Sequence, residues 1–131
     1  MSNYSSNDVA NAIAAAAKAL DARKDEINRL NVFPVPDGDT GTNMSLTLAM
    51  VVENLAALPI GASNADKRRA ITTGALMGAR GNSGVITSQT LRGLCEGFDG
   101  HEDFDIDAIG DAFAKAVEVA FNAVRKPVEG T

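Results

Sequence analysis

Apolar residues recur along this chain at helical spacing, and proline, glycine and polar clusters break the pattern into segments. Val9, Ile13, Ala16, Leu20, Ile27 and Leu30 follow one another at steps of three, four or seven, with Asp21, Lys24, Asp25 and Arg29 between them, which predicts an amphipathic helix. Ser6, Asn7 and Asp8 offer its N-cap. Pro34 and Pro36 remove two backbone donors and push their predecessors into extended geometry, so this helix should fail by Phe33. After a loop from Val32 to Gly41, Met44, Leu48, Val51, Leu55 and Leu58 form a second stripe, stopped by Pro59 and Gly61. Ser63 or Asn64 can cap a third helix that turns Lys67, Arg68 and Arg69 outward. Ile71, Ala75 and Gly78 lie along its other side, small enough for a neighbour to approach closely. Gly81 to Gly84 interrupts the pattern, and a fourth helix should follow, burying Ile86, Leu91, Leu94, Cys95 and Phe98. Asp99 to Asp105 reads as an acidic loop. The last helix shows Ile106, Ile109, Phe113, Val117, Ala120 and Val124 on one face until Pro127 stops it.

No segment alternates as a strand and no internal repeat is present. The simplest solution is a single all-α domain over residues 1–131, an antiparallel helical bundle with short connections.

Composition supports this picture and narrows the partners. The chain is 45% hydrophobic but has no Trp, so Ala, Leu, Val, Ile and Met must build the core. A formal net charge of −5 argues against nucleic acid, which needs a basic surface. It leaves a small phosphorylated ligand open, because a metal ion can reverse the local field. Cys95 is the lone cysteine, which rules out an intrachain disulfide framework. The N-terminus lacks a basic n-region and no apolar run approaches the roughly 20 residues that span a bilayer. A cytoplasmic protein with no membrane span is the expectation.

Two constellations carry candidate chemistry. The first is Pro36-Asp37-Gly38-Asp39-Thr40-Gly41-Thr42-Asn43. Asp37 and Asp39 sit on a glycine-relieved turn, where their carboxylates can converge on one hard cation. Unpaired they would repel and one would tend to protonate. Mg²⁺ removes that penalty, and it characteristically takes one or two carboxylates, waters and substrate phosphates. The helix N-terminus that follows would add free N–H groups and a positive dipole. The competing reading is a surface turn in which Asp39 or Thr40 only caps a helix. The second constellation is Gly78-Ala79-Arg80-Gly81-Asn82-Ser83-Gly84, whose glycines, hydroxyl and amide suit backbone donors wrapped on phosphate oxygens. It is no Walker A motif, and a helix C-cap followed by a new N-cap competes with it. Arg80 could instead pair with a surface carboxylate. His101 in its acidic loop reads as solvated surface, Cys95 as core, and Lys67-Arg68-Arg69 as a solvated helix face.

In this order, the two constellations resemble the nucleotide-binding domain shared by dihydroxyacetone kinases and bacterial fatty acid kinases. The stretch Leu30 to Met44 is similar to the fatty acid kinase version. Gly78 to Gly84 is similar to its second loop, and Lys126-Pro127-Val128-Glu129-Gly130-Thr131 to a third signature. The likeness runs from about Ala10 onward.

The resemblance implies a barrel of antiparallel helices with ATP or ADP capping one end. Asp37 and Asp39, the catalytic pair, would bind two Mg²⁺ ions that bridge the phosphates. Thr40 and Asn43 would lie near those phosphates, and Gly81, Asn82 and Ser83 would cradle them. Asn31 stands where the dihydroxyacetone branch carries a further aspartate, and is a candidate metal ligand through its amide oxygen. Catalysis would be electrostatic and positional.

The function implied is an ATP-dependent kinase that phosphorylates a fatty acid held by a separate fatty-acid-binding carrier protein. The alternatives are a glycerone (dihydroxyacetone) kinase nucleotide-binding subunit and a non-catalytic helical interaction domain. The family domain continues with further helices past the Lys126–Thr131 signature. The resemblance therefore also implies an incomplete barrel, a homo-oligomer formed through its open side, and little or no turnover by this chain alone.

Overall fold

The computed structural model describes residues 4–31 and 38–123, five helices joined by short links. Helix α1 spans Ser6–Arg29, α2 Thr40–Ala56, α3 Asn64–Gly78, α4 Gly81–Phe98 and α5 Ile106–Ala123. Pro34, Pro36, Asp37, Val124 and the Lys126–Thr131 signature lie outside the described residues. The all-helical fold class stands. Among the described residues the only extended pairing is a single bridge, in which Tyr4 and Phe104 exchange backbone hydrogen bonds of 2.9 and 2.8 Å.

Capping fixes where the helices begin. The cap of α1 is Ser5, one residue ahead of the expected trio. Its side chain accepts from the Asp8 N–H while the Asp8 carboxylate accepts from the Ser5 N–H, a reciprocal capping box. Ser63 and Asp66 repeat the device at α3. The glycine-rich Gly81–Gly84 segment, expected as a loop, is the first turn of α4, leaving Ala79 and Arg80 as the whole α3–α4 link. Within that turn only Gly81 has a left-handed backbone, at φ 65°.

Sequential helices run antiparallel, as cross-helix contacts show. Asn28 near the end of α1 bonds to Thr42 at the start of α2. Asn54 reaches Ala70 on α3. Arg68 near the start of α3 pairs with Asp99 at the end of α4. One consequence governs the functional site: the N-termini of α2 and α4 and the C-termini of α1, α3 and α5 share one end of the bundle.

The core forms where α1–α4 meet, at Ile13, Val51, Ile71, Ala75 and Cys95. A second cluster, Phe98, Phe104, Ala108 and Ala112, joins α4 to α5. Of the α2 stripe only Val51 is fully buried. The helix packs against α1, α3 and α4, so Ser45 and Thr47 are buried as well as Val51. Helix α5 corrects the expected face. It meets α4 through Ala108, Ala112, Ala116 and Val119, because Gly93 and Gly97 let the two backbones approach so closely that an added Cβ would strike Ala116 and Ala112. Phe113, Val117 and Phe121 point outward at 61%, 55% and 69% exposure. Helices α1 and α5 do not pack on each other. A largely apolar groove of about 440 Å³, lined by Val9, Ile13, Phe98 and Phe113 among others, runs between them.

Candidate functional site

The two constellations meet at the shared end. Asp39, Thr40 and Asn43 stand on the first turn of α2, and Gly81, Asn82 and Ser83 on the first turn of α4. A Cβ added at Gly81 would lie 2.5 Å from Asn43 Nδ2, so these two first turns touch at that point. Gly81 answers two demands at once, its positive φ and this contact. Asp37 lies outside the described residues.

The first turn of α2 is satisfied by neighbours rather than by its own side chains. Asp39 occupies the N-cap position but makes no side-chain cap bond. Instead Asn31 Oδ1 accepts from the N–H groups of Asp39 and Thr40 at 3.0 and 3.3 Å. Asn28 Oδ1 accepts from the Thr42 N–H at 3.0 Å, and Asn28 Nδ2 donates to Thr42 Oγ1 at 2.8 Å. Two amides three residues apart, one on the last turn of α1 and one just past its end, thus dock onto the head of α2. This narrows the expectation that α2 offers free N–H groups, because α1 and the residues after it take those of Asp39, Thr40 and Thr42. Asp39 does stand at the cap position that the competing reading gave it, but its exposed carboxylate makes no cap bond. For Asn31 to ligate a metal, its oxygen would have to give up one of the two N–H bonds it accepts.

Gly41, part of the expected turn, lies inside α2 and is buried. An added Cβ would sit 2.9 Å from Lys24 Cα and 3.0 Å from the Lys24 carbonyl carbon. Its role is to let α1 and α2 approach. Alongside it, Ser45 Oγ donates to Asp21 Oδ1 at 3.0 Å, and Lys24 Nζ reaches the same carboxylate at 2.9 Å. The Lys24 bond, then the Ser45 bond, hold the Asp21 carboxyl below the usual carboxylate range.

The head of α4 differs. Its N-cap is Arg80, with no side-chain cap bond. The Gly84 N–H already closes onto the Arg80 carbonyl, which leaves the N–H groups of Gly81, Asn82 and Ser83 as the first-turn donors without a partner inside the helix. The Arg80 guanidinium folds back onto the Met77 and Ala79 carbonyls at 3.0 and 2.9 Å. It therefore serves the C-terminus of α3 rather than a surface carboxylate.

The remaining candidates sit elsewhere. His101 lies in the α4–α5 link beside Asn64, whose side chain reaches the His101 and Glu102 carbonyls. That is one length of α3 away, about 20 Å for its 15 residues. The basic run is less solvated than expected. Lys67 donates to Ser6 Oγ at 2.8 Å and to Asn7 Oδ1 at 2.7 Å, Arg68 pairs with Asp99, and only Arg69 is fully exposed. Cys95 is core, as expected; burial pushes its thiol up to about 11. Among the described residues no group of three or more His, Cys, Asp or Glu side chains forms a ready metal cluster. No described helix is long and apolar enough to cross a membrane.

Sequence reasoning gave no role to Asn28, Thr42 and Thr47. Asn28 left a faint signal, since it lies three residues before Asn31 where α1 ends. Thr47 left another, a hydroxyl flanked by the apolar stripe of α2.

Five antiparallel helices, with an Asp-bearing helix N-terminus touching an uncapped glycine-led one, define a helical domain with a phosphate-compatible end. A family model described as the DAK2 domain matches residues 34–131, and the chain belongs to that kinase-associated family, whose members bind ADP or ATP. Relatives include an uncharacterized protein of Staphylococcus epidermidis strain ATCC 35984, 45% identical over 125 residues, covering 93% of this chain and 22% of that protein. An uncharacterized protein of Staphylococcus aureus strain USA300 is 44% identical over 125 residues, with the same coverage of each chain. The chain thus spans 22% of the length of the curated relatives it matches.

Proposed function

We propose that this domain is the ATP-binding, Mg²⁺-dependent part of a phosphotransferase that acts on a fatty acid presented by a separate carrier protein. The observation that carries the reading is the contact between the α2 and α4 first turns, one bearing an uncommitted Asp39 carboxylate, the other three first-turn donors. Asp37 and Asp39 hold the metal, a pair of ions when ATP is bound. Gly81, Asn82 and Ser83 give their N–H groups to phosphate oxygens, the Asn82 amide and the Ser83 hydroxyl add side-chain donors, and Thr40 and Asn43 flank them. Asn31 fixes the Asp39 backbone from α1. Bound Mg²⁺ would supply charge neutralisation at the phosphoryl oxygens. The protein supplies position: it holds the phosphates against the head of α4, where backbone donors are preorganised for negative charge. Val35-Pro36 ahead of Asp37 and Thr40 behind Asp39 favour the fatty acid branch over the glycerone branch.

Calorimetry with ADP, with and without Mg²⁺, tests the site. The wild-type domain should bind ADP in a Mg²⁺-dependent manner, and Asp39→Asn should lose that dependence while its melting temperature without metal stays level or rises. Unchanged Mg²⁺ dependence in Asp39→Asn would place the metal elsewhere. No metal-dependent heat in the wild type would point to a helical interaction domain. A phosphorylation assay with acyl-loaded carrier protein against dihydroxyacetone then separates the two acceptors.

A further inference from the structure

Resting on that nucleotide-binding reading, we infer that Thr47 is the positioning residue that holds the α2 half and the α4 half of the site in register. Thr47 is fully buried, one helical turn below Asn43. Its single hydroxyl hydrogen faces two carbonyl oxygens, that of Asn43 at 2.9 Å and that of Gly78 at 3.2 Å. The first belongs to the α2 turn that carries the site. The second closes the last turn of α3, where carbonyls lack partners within their own helix. The same oxygen would be 2.9 Å from a Cβ at Gly84 on the first turn of α4. One hydroxyl therefore bonds to α2 and α3 and lies close against Gly84 of α4, where only a glycine leaves it room, and the α3–α4 link it anchors is only Ala79 and Arg80. A displacement of Gly78 passes directly to Gly81, and from there to the contact with Asn43. Back-bonding to the carbonyl four residues earlier is ordinary for a helical threonine. The reach to Gly78 on another helix is what makes Thr47 a tie between elements.

Two substitutions separate positioning from bulk stability. Thr47→Val keeps the shape and removes the hydroxyl, whereas Thr47→Ser keeps the hydroxyl and removes a buried methyl. Both should lower the melting temperature. In the ligand-free domain the amide chemical shifts of Gly81, Asn82 and Ser83 should move in Thr47→Val and stay near wild type in Thr47→Ser. Affinity for ADP with Mg²⁺ should fall about fivefold to tenfold in Thr47→Val, the scale of one hydrogen bond, and change little in Thr47→Ser. If Thr47→Val does not fold, Thr47→Ala takes its place as the hydroxyl-free variant. Amide shifts that are unmoved in the hydroxyl-free variant, or affinities that follow melting temperature in both variants alike, would overturn the inference. Failure of the wild type to bind ADP would refute the nucleotide site alone, and the amide shifts would still decide the role of Thr47.

Discussion

Gly41→Ala offers the sharpest test of how the site is built, because the turn reading and the packing reading predict opposite signs. If Gly41 merely relieved a turn at the start of a helix, alanine there would gain helix propensity of up to about 1 kcal/mol and reduce the freedom of the unfolded chain. In the structure its Cβ would meet backbone alone: Lys24 Cα at 2.9 Å, the Lys24 carbonyl carbon at 3.0 Å, and the Lys24 carbonyl oxygen closer still. No flexible side chain is available to yield. Ordinary contact begins near 3.4 Å, so α1 and α2 must part by at least half an ångström, or one must bend. Overpacking of this kind costs about 1–3 kcal/mol, which exceeds the propensity gain. Parting the helices would also stretch the Asn28 and Asn31 bonds that satisfy the head of α2. Gly110→Ala is the control, a glycine within α5 whose added Cβ would meet nothing within 4 Å; it should raise stability by up to about 1 kcal/mol. Thermal and urea unfolding of both variants should place Gly41→Ala below wild type and Gly110→Ala at or above it. Equal stabilisation by the two substitutions would refute the packing assignment and restore Gly41 to a turn.

Asn82→Ala and Ser83→Ala should each weaken ADP binding by about 1–3 kcal/mol, the scale for hydrogen bonds to charged groups, and leave adenosine affinity nearly unchanged. Equal losses for both ligands by calorimetry would make the segment a structural cap only. Cys95 should resist an alkylating reagent until the domain unfolds, since it is 5% exposed and its thiol is pushed up to about 11 from 9.0. The unfolded thiol ionises first, so this contribution to stability is whole below pH 9 and is lost as the pH climbs toward 11. Rapid labelling of the folded protein at neutral pH would contradict its burial between α3 and α4.

Element type was legible wherever period and punctuation agreed. The helical type of α1 and α3, a cap at Ser63 or Asn64, and the small side of α3 at Ile71, Ala75 and Gly78 could be read from spacing alone, although Leu30 at the end of the α1 stripe is 74% exposed. Glycine was the residue type that misled. Gly41 reads as part of a turn and Gly93 and Gly97 stand outside every apolar stripe, yet each lies within a helix where another backbone comes close. Only a partner helix can tell the two uses apart, and a single sequence does not say which helices are partners. Helix α5 failed for the same reason. Its larger apolar residues look like the buried face, but the glycines of α4 draw in the alanine face and leave Phe113, Val117 and Phe121 outside. Of the site, residue identity was readable and division of labour was not. The motif picks out Asp39 and Gly81, but nothing in their spacing shows that Asn28 and Asn31 would take over the donors of α2.

That takeover has an electrostatic consequence. A helix N-terminus carries roughly half a positive charge, and two of them meet here. Left uncapped, both would favour anions and oppose a cation bound nearby. Aspartates at positions 28 and 31 could accept the same N–H bonds, but they would add fixed negative charge that a phosphate must then approach. Neutral asparagines accept the Asp39, Thr40 and Thr42 N–H groups and add no charge, so the carboxylate of Asp39 remains available as local compensation for a cation. The head of α4 is left to face the anion. The proposed site thus splits into a cation half and an anion half on two adjoining helix ends. Asn31→Asp probes this split directly. It keeps an acceptor for the Asp39 and Thr40 N–H groups, so the fold should hold. The added charge should strengthen binding of Mg²⁺ alone and, at limiting Mg²⁺, weaken that of the free nucleotide. A variant that binds both as wild type does would show that the charge at this position never reaches the site.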